Sequence, residues 1–285
     1  MDNTRNTIKQ IRKQFIIGGK VRLGAGTPLA LIAGPCVIES ERMALSIAGK
    51  LARTARRLKI PLIFKASFDK ANRTSHLSFR GPGLSEGLRI LSKIKDETGL
   101  PVVTDVHETS QVDPVSSVAD MIQIPALLSR QTDLLMTAGR SGLPVNVKKG
   151  QFMSPEDMGY AVAKLRAAGC SKVAVTERGT SFGYHNLVVD FRSLPMLSGL
   201  GTPVIFDATH SVQLPGARGK ASGGDRRFVP TLVRAACAAG IDAVFIETHP
   251  DPSKGLSDGP NSWPINELGN LWEQASAIAA AAKRI

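Results

Sequence analysis

Pro61-Leu-Ile-Phe64 runs directly into Lys65-Ala-Ser-Phe-Asp-Lys-Ala-Asn-Arg-Thr-Ser75. The first four residues are apolar and opened by proline, the pattern of a short buried strand. Apolar character then stops at Lys65. Two lysines, an arginine, an asparagine, an aspartate and three hydroxyls follow within the next eleven residues. Lysine offers a point charge to a phosphate and arginine a bidentate fork, while Asn72 and the hydroxyls suit a sugar. A solvated loop would also be polar, so the reading depends on whether the pattern recurs.

It recurs along the chain. Apolar runs at Leu29–Ala33, Pro61–Phe64, Pro101–Asp105, Met121–Pro125, Pro144–Val147, Lys172–Thr176, Pro203–Phe206 and Ile241–Ile246 read as eight strands. Between them lie helical patterns: Glu39–Leu58 with Ser40 as N-cap, Leu84–Glu97 closed by Gly99, a short helix after Glu108, Thr132–Ala138, a helix opened by Ser154-Pro-Glu-Asp157, Arg192–Leu197, Arg226–Ala239 and Pro264–Ala282. Eight short strands without polar alternation, each followed by a helix, indicate an α/β fold with a buried parallel sheet, a TIM (β/α)8 barrel over residues 29–285. An open doubly wound sheet is disfavoured, because no Gly-x-Gly-x-x-Gly follows the first strand. Residues 1–28 read as an N-terminal extension, with a short helical turn over Thr7–Phe15 and a hairpin around Gly18-Gly19 that plugs one barrel end.

The bulk properties narrow the function. The formal charge of +12 raises nucleic-acid binding, but aromatics are 5% of residues and no nucleic-acid-binding signature is present. Arg53, Arg56, Arg57 and Lys59 fall on a helical face, whereas Lys65, Lys70, Lys148, Lys149 and Arg178 follow strands. Cations focused at strand exits suit a small phosphorylated substrate better than a duplex. No apolar run reaches the roughly 20 residues of a membrane span. Three cysteines make no disulfide scaffold, and the expected location is the cytoplasm.

In a barrel, chemistry belongs at the C-terminal strand ends. Those ends read Cys36, Lys65, Asp105 with His107, Gln123, Lys148 with Lys149, Glu177 with Arg178, Asp207 with His210, and Glu247 with His249. Lys65, Lys70, Lys148 and Arg178 form a cationic group able to hold a phosphate and a carboxylate together. Cys36, His210, Glu247 and Asp258 could ligate a divalent ion if the fold gathers them, although their spacing forms no metal motif. Cys170 and Cys237 adjoin helix ends and read as core.

The loop Lys65–Arg73 with His76-Leu-Ser-Phe-Arg-Gly81, together with Val145-Asn-Val-Lys-Lys-Gly-Gln-Phe152 and Thr176-Glu-Arg-Gly-Thr-Ser-Phe-Gly-Tyr184, resembles the 3-deoxy-D-manno-octulosonate 8-phosphate synthase family. So do Asp207-Ala-Thr-His-Ser-Val-Gln-Leu-Pro-Gly216, Glu247-Thr-His-Pro250 and Leu256-Ser-Asp258. Ala33-Gly-Pro-Cys36 resembles the metal-dependent type, which has cysteine where the other has asparagine. The resemblance implies condensation of phosphoenolpyruvate with D-arabinose 5-phosphate and water, releasing phosphate, for lipopolysaccharide biosynthesis. It implies that Lys65, Lys70, Gln123, Lys148, Gln151 and Arg178 take phosphoenolpyruvate. Asn72, Arg73, Thr74 and Asp105 would take the sugar phosphate, with Arg130 reaching it from a neighbouring subunit of a homotetramer. The implied metal ligands are Cys36, His210, Glu247 and Asp258, for zinc, iron or manganese. The proton carrier would be His210, Asp258, Lys148 or a metal-bound water. The alternative is the related heptulosonate 7-phosphate synthase, which uses erythrose 4-phosphate and typically has Lys-Pro-Arg-Thr in the matching loop.

Overall fold

A computed structural model describes residues 12–73, 75–216 and 223–282. A hairpin, β1 (Phe15–Ile17) and β2 (Val21–Leu23), comes first. There follow β3 (Ala30–Gly34), α1 (Glu41–Leu58), β4 (Leu62–Lys65), α2 (Leu84–Thr98), β5 (Val102–Asp105), α3 (Val112–Ser116), β6 (Met121–Ile124), α4 (Thr132–Arg140), β7 (Val145–Lys148), α5 (Met158–Ala167) and β8 (Val173–Glu177). A ribbon of β9 (Thr180–Ser181) and β10 (Leu187–Val188) precedes α6 (Ser193–Ser198) and β11 (Val204–Asp207). A second ribbon, β12 (Gln213–Leu214) with β13 (Gly223–Gly224), leads to α7 (Val229–Ala238). The chain closes with β14 (Ala243–His249), β15 (Trp263–Pro264) and α8 (Leu268–Ala282). Strands β3 to β8, β11 and β14 pair in parallel, and β14 returns to β3, so the sheet closes as an eight-stranded barrel. This is the expected TIM architecture.

Local chemistry sets the boundaries. The Ser40 side chain caps α1 by accepting from Met43 N, and α2 ends at Gly99, whose φ of 68° suits glycine. Ser154 and Asp157 exchange reciprocal bonds at the expected helix start, but the residues before Met158 are turns rather than a completed helical turn. The helices expected from Arg226 and Pro264 likewise begin as 3-10 turns, at Arg226–Phe228 and Ile265–Glu267. Most of the expected Thr7–Phe15 turn lies outside the described residues.

Most barrel strands extend past the apolar run that announces them. Lys65, Lys148, Glu177, Asp207 and Glu247 are themselves ladder residues. Backbone pairing continues while the side chains change from apolar to charged. Two apolar layers result. One lies between strands and helices, and the other fills the barrel interior with Ile32, Ile63, Val103, Met121, Ala174, Ile205 and Phe245. Phe15, Ile17, Val21 and Leu23 join this inner layer. Gly18 packs against Pro101 and Asp120, which precede β5 and β6, so the hairpin seals the N-terminal end. The other end stays open.

Candidate active site

Strand parity decides which polar side chains enter the open end. Successive strand residues point to opposite faces, so a residue two beyond an inner-layer residue also points inward. Lys65 follows Ile63, Asp105 follows Val103, Gln123 follows Met121, Thr176 follows Ala174, Asp207 follows Ile205 and Glu247 follows Phe245. The same rule turns two candidates away. Lys149 and Glu177 neighbour inward residues and face outward, where they pair at 3.5 Å. Lys149 also donates to Thr180 Oγ1 at 3.0 Å, and it clamps two loops rather than lining the mouth.

Lys65, Asp105 and Gln123 of this inward set line a cavity of about 800 Å³. Its lining includes Lys65, Lys70, Asn72, Arg73, Asp105, His107, Gln123, Lys148, Gln151, Arg178, His210 and Asp258. Thr74 lies outside the described residues. Arg130 is exposed and does not line this chain's cavity. Lys65 Nζ donates to Glu247 Oε1 at 2.9 Å and to the Cys36 carbonyl at 3.1 Å. Lys148 Nζ donates to Asp207 Oδ2 at 2.6 Å and stands 3.6 Å from the Phe245 ring centroid. Burial pushes the pKa values of Lys148 and Arg178 down despite nearby carboxylates. For Lys70 burial acts the same way, but Cys36, Glu247, Asp105 and Asp258 outweigh it and hold its pKa up.

A second group lies against the β3 and β14 side of this cavity. Cys36, Glu247 and Asp258 bring one sulfur and two carboxylate oxygens within 4.8 Å of one another. Cys36 Sγ is 3.2 Å from Asp258 Oδ2 and 2.8 Å from Ser257 Oγ. His210 Nδ1 is 2.8 Å from Asp207 Oδ2, while Nε2 faces Glu247 at 3.7 Å and Asp258 at 3.8 Å. Burial and then Glu247 push the Cys36 thiol well above its ordinary pKa. Burial opposes the charge of Asp207 as well, but His210 and Lys148 hold its carboxyl far below the usual range. An ionised Asp207 only accepts, so His210 Nδ1 carries the proton it shares with that carboxylate. The other ring nitrogen, Nε2, faces two carboxylates, beyond hydrogen-bond reach of both. A sulfur and two carboxylates within 4.8 Å of one another, with an imidazole nitrogen beside the carboxylates, suit a divalent cation.

Backbone geometry supports this cluster. A Cβ on Gly34 would collide with the Lys65 carbonyl oxygen. Glycine therefore lets β3 and β4 approach where Pro35 turns Cys36 inward. Asp258 adopts φ of 49°, and its carbonyl accepts from the backbone nitrogens of Asn261 and Ser262, each at 3.0 Å. Those bonds hold the left-handed turn that places its carboxylate.

The profile of the DAHP synthetase I family matches residues 5–282. The chain belongs to that family. Three relatives, all named 2-dehydro-3-deoxyphosphooctonate aldolase, match nearly end to end. The chain is 57% identical over 268 residues to the one from Desulfatibacillum aliphaticivorans, which spans 94% of this chain and 98% of the relative. It is 57% identical over 265 residues to that of Geobacter metallireducens, covering 93% and 97%. It is 55% identical over 261 residues to that of Methylococcus capsulatus, covering 92% of each.

This DAHP synthetase I family member also holds polar residues that strand-end reading passed over. Asn146 lies two residues before Lys148 on β7, and Ser257 and Gln213 lie outside the barrel strands. Gln213 accepts from Arg178 Nη2 at 2.9 Å and donates to Asp258 Oδ1 at 3.0 Å. It thereby joins the cationic group to the thiol–carboxylate cluster. Gln213 sits inside the segment Asp207–Gly216 and Ser257 inside Leu256–Asp258, but nothing in their spacing distinguishes them. His249 keeps the inward parity of Glu247, yet it faces Glu39 at 3.7 Å rather than the cavity.

Proposed function

We propose that this protein condenses phosphoenolpyruvate with D-arabinose 5-phosphate and water to give 3-deoxy-D-manno-octulosonate 8-phosphate and inorganic phosphate. One observation carries the reading: a chain 55–58% identical to proteins named 2-dehydro-3-deoxyphosphooctonate aldolase converges lysines and an arginine on a single cavity that Asp258 of the mixed-donor cluster also lines. The methylene carbon of phosphoenolpyruvate attacks the sugar aldehyde, water adds at carbon 2, and phosphate leaves. Lys65, Lys70, Gln123, Lys148, Gln151 and Arg178 hold the phosphoenolpyruvate phosphate and carboxylate. Asn72, Arg73, Thr74 and Asp105 hold the sugar phosphate. Fixing two anions that would otherwise repel supplies orientation and charge neutralisation together. Burial eases proton loss from Lys148, which suits it to carry a proton beside Asp207. His210 and Asp258 line the same cavity as alternative carriers.

Cys36, His210, Glu247 and Asp258 would hold a divalent ion of the zinc, iron or manganese class. When bound, such an ion polarises an oxygen or lowers the pKa of water. The catalytic unit spans residues 29–285, preceded by the extension and hairpin of residues 1–28. The working form is a homotetramer in which Arg130 serves a neighbouring cavity. Among the described residues no helix is long and apolar enough to cross a membrane, and the reading places the enzyme in the cytoplasm, feeding lipopolysaccharide synthesis.

Phosphate release measured with arabinose 5-phosphate and with erythrose 4-phosphate, before and after chelation, tests the reading. Turnover with the five-carbon sugar, lost on chelation and restored by a divalent ion, is expected. Preference for erythrose 4-phosphate would move the assignment to the heptulosonate reaction.

A further inference from the structure

Asp105, Gln123 and Asn146 are register partners on β5, β6 and β7. They form one hydrogen-bonded row across the barrel. Thr176 Oγ1 donates to Asn146 Oδ1 at 2.7 Å, and Asn146 Nδ2 donates to Gln123 Oε1 at 3.1 Å. Gln123 Nε2 then donates to Asp105 Oδ1, and Ser67 Oγ donates to Asp105 Oδ2. Asn146 and Thr176 are fully buried and do not line the cavity.

The direction of this row follows from its ends. Burial works against the charge on Asp105, but Lys65 and Lys70 hold its carboxyl well below the usual range. Asp105 therefore only accepts. The Gln123 group beside it must be the NH2, which turns the Gln123 carbonyl toward Asn146. Asn146 must then offer its own NH2 to Gln123 and its carbonyl to Thr176, whose hydroxyl donates. No amide in the row can flip without setting acceptor against acceptor. Gln123 lines the cavity with its carbonyl engaged and one N–H committed to Asp105. Its second N–H is what remains for a ligand.

We infer that Asn146 and Thr176 are positioning residues that lock the Gln123 carboxamide with an N–H toward the cavity, making that point select an anionic acceptor on phosphoenolpyruvate. The inference rests on the proposed function. A buried amide is costly unless fully bonded, and valine or leucine at residue 146 would suffice for packing alone. A fixed donor also rewards an anion without the reorganisation that a free amide would require.

The test uses Asn146→Asp and Thr176→Val in steady-state phosphate release with phosphoenolpyruvate and arabinose 5-phosphate, over a range of pH. A protonated aspartic acid can copy the row, donating to Gln123 and accepting from Thr176. An ionised one cannot, and it drives the amide to flip. For Asn146→Asp, KM for phosphoenolpyruvate is expected to acquire a pH dependence absent from the wild type. It approaches the wild-type value on the acid side and rises about tenfold on the alkaline side, the scale of one hydrogen bond to a charged group, with kcat unchanged. Thr176→Val, nearly isosteric, raises the same KM about twofold to threefold and keeps the wild-type pH profile. Its value as a second variant is that it leaves both amides in place if Asn146→Asp does not fold. An unchanged KM in Thr176→Val, or an Asn146→Asp profile parallel to the wild type, overturns the inference. If the wild type itself shows no phosphate release with these substrates, the proposed function fails instead, so the two failures are separable.

Discussion

Lys65 bears more of the site than its position in the sequence suggests. It is 1% exposed and bonds Glu247, with Asp105 Oδ2 at 4.0 Å. Burial opposes ionisation of both carboxyls, yet Lys65 foremost among the cations holds them well below the usual carboxylate range. Folded pKa values thus lie below unfolded ones. Both groups stabilise the fold in full above about pH 5, and that stability is lost as pH falls through the folded values. Melting temperature is expected to decline below about pH 4. Lys65→Met should lose roughly 3–5 kcal/mol at neutral pH by stranding buried charge, and its acid decline should be shallower. A melting profile parallel to the wild type would contradict this. At the thiol, Cys36→Ala should weaken cobalt binding and abolish the sulfur-to-cobalt absorption band. Retention of that band would remove Cys36 from the ligand set.

Two elements carry opposite duties at opposite ends of the barrel. The β3–β4 crossing beneath Cys36 depends on Gly34, where any Cβ meets the Lys65 carbonyl. Gly34→Ala is expected to cost about 1–3 kcal/mol through overpacking and also to weaken cobalt affinity, because the strand that places Cys36 must shift. The hairpin is remote from the chemistry. Leu23 is fully buried in the inner layer, so Leu23→Ala should cost about 2–5 kcal/mol with kcat unchanged at temperatures where the variant is folded. A large fall in kcat without a fall in stability would show that the plug reaches the cavity after all.

For the whole molecule, net charge and assembly each carry an expected outcome. Lys65, Lys70, Lys148 and Arg178 are turned into one cavity, so duplex DNA titrated in filter binding should show no steep salt-dependent affinity despite the charge of +12. Light scattering is expected to give four times the 30.3 kDa chain mass. Subunits carrying Arg130→Ala and subunits carrying Lys148→Met should each be nearly inactive, and reassembled mixtures should regain activity. Mixtures that stay inactive would place Arg130 outside the shared site.

The eight-fold alternation, the caps at Ser40 and Gly99, and the polar residue closing each strand were legible in the chain, because helix and strand periods and turn chemistry are local properties. The order of the cationic residues was legible for the same reason. Local pattern could not tell Lys148 from Lys149, or Arg178 from Glu177. Adjacent residues on a strand face opposite ways, and only barrel closure defines which way is inward. Nor could spacing bring Cys36 to Asp258 or reveal the row through Asn146, since those contacts join strands and loops that meet only when the sheet closes on itself.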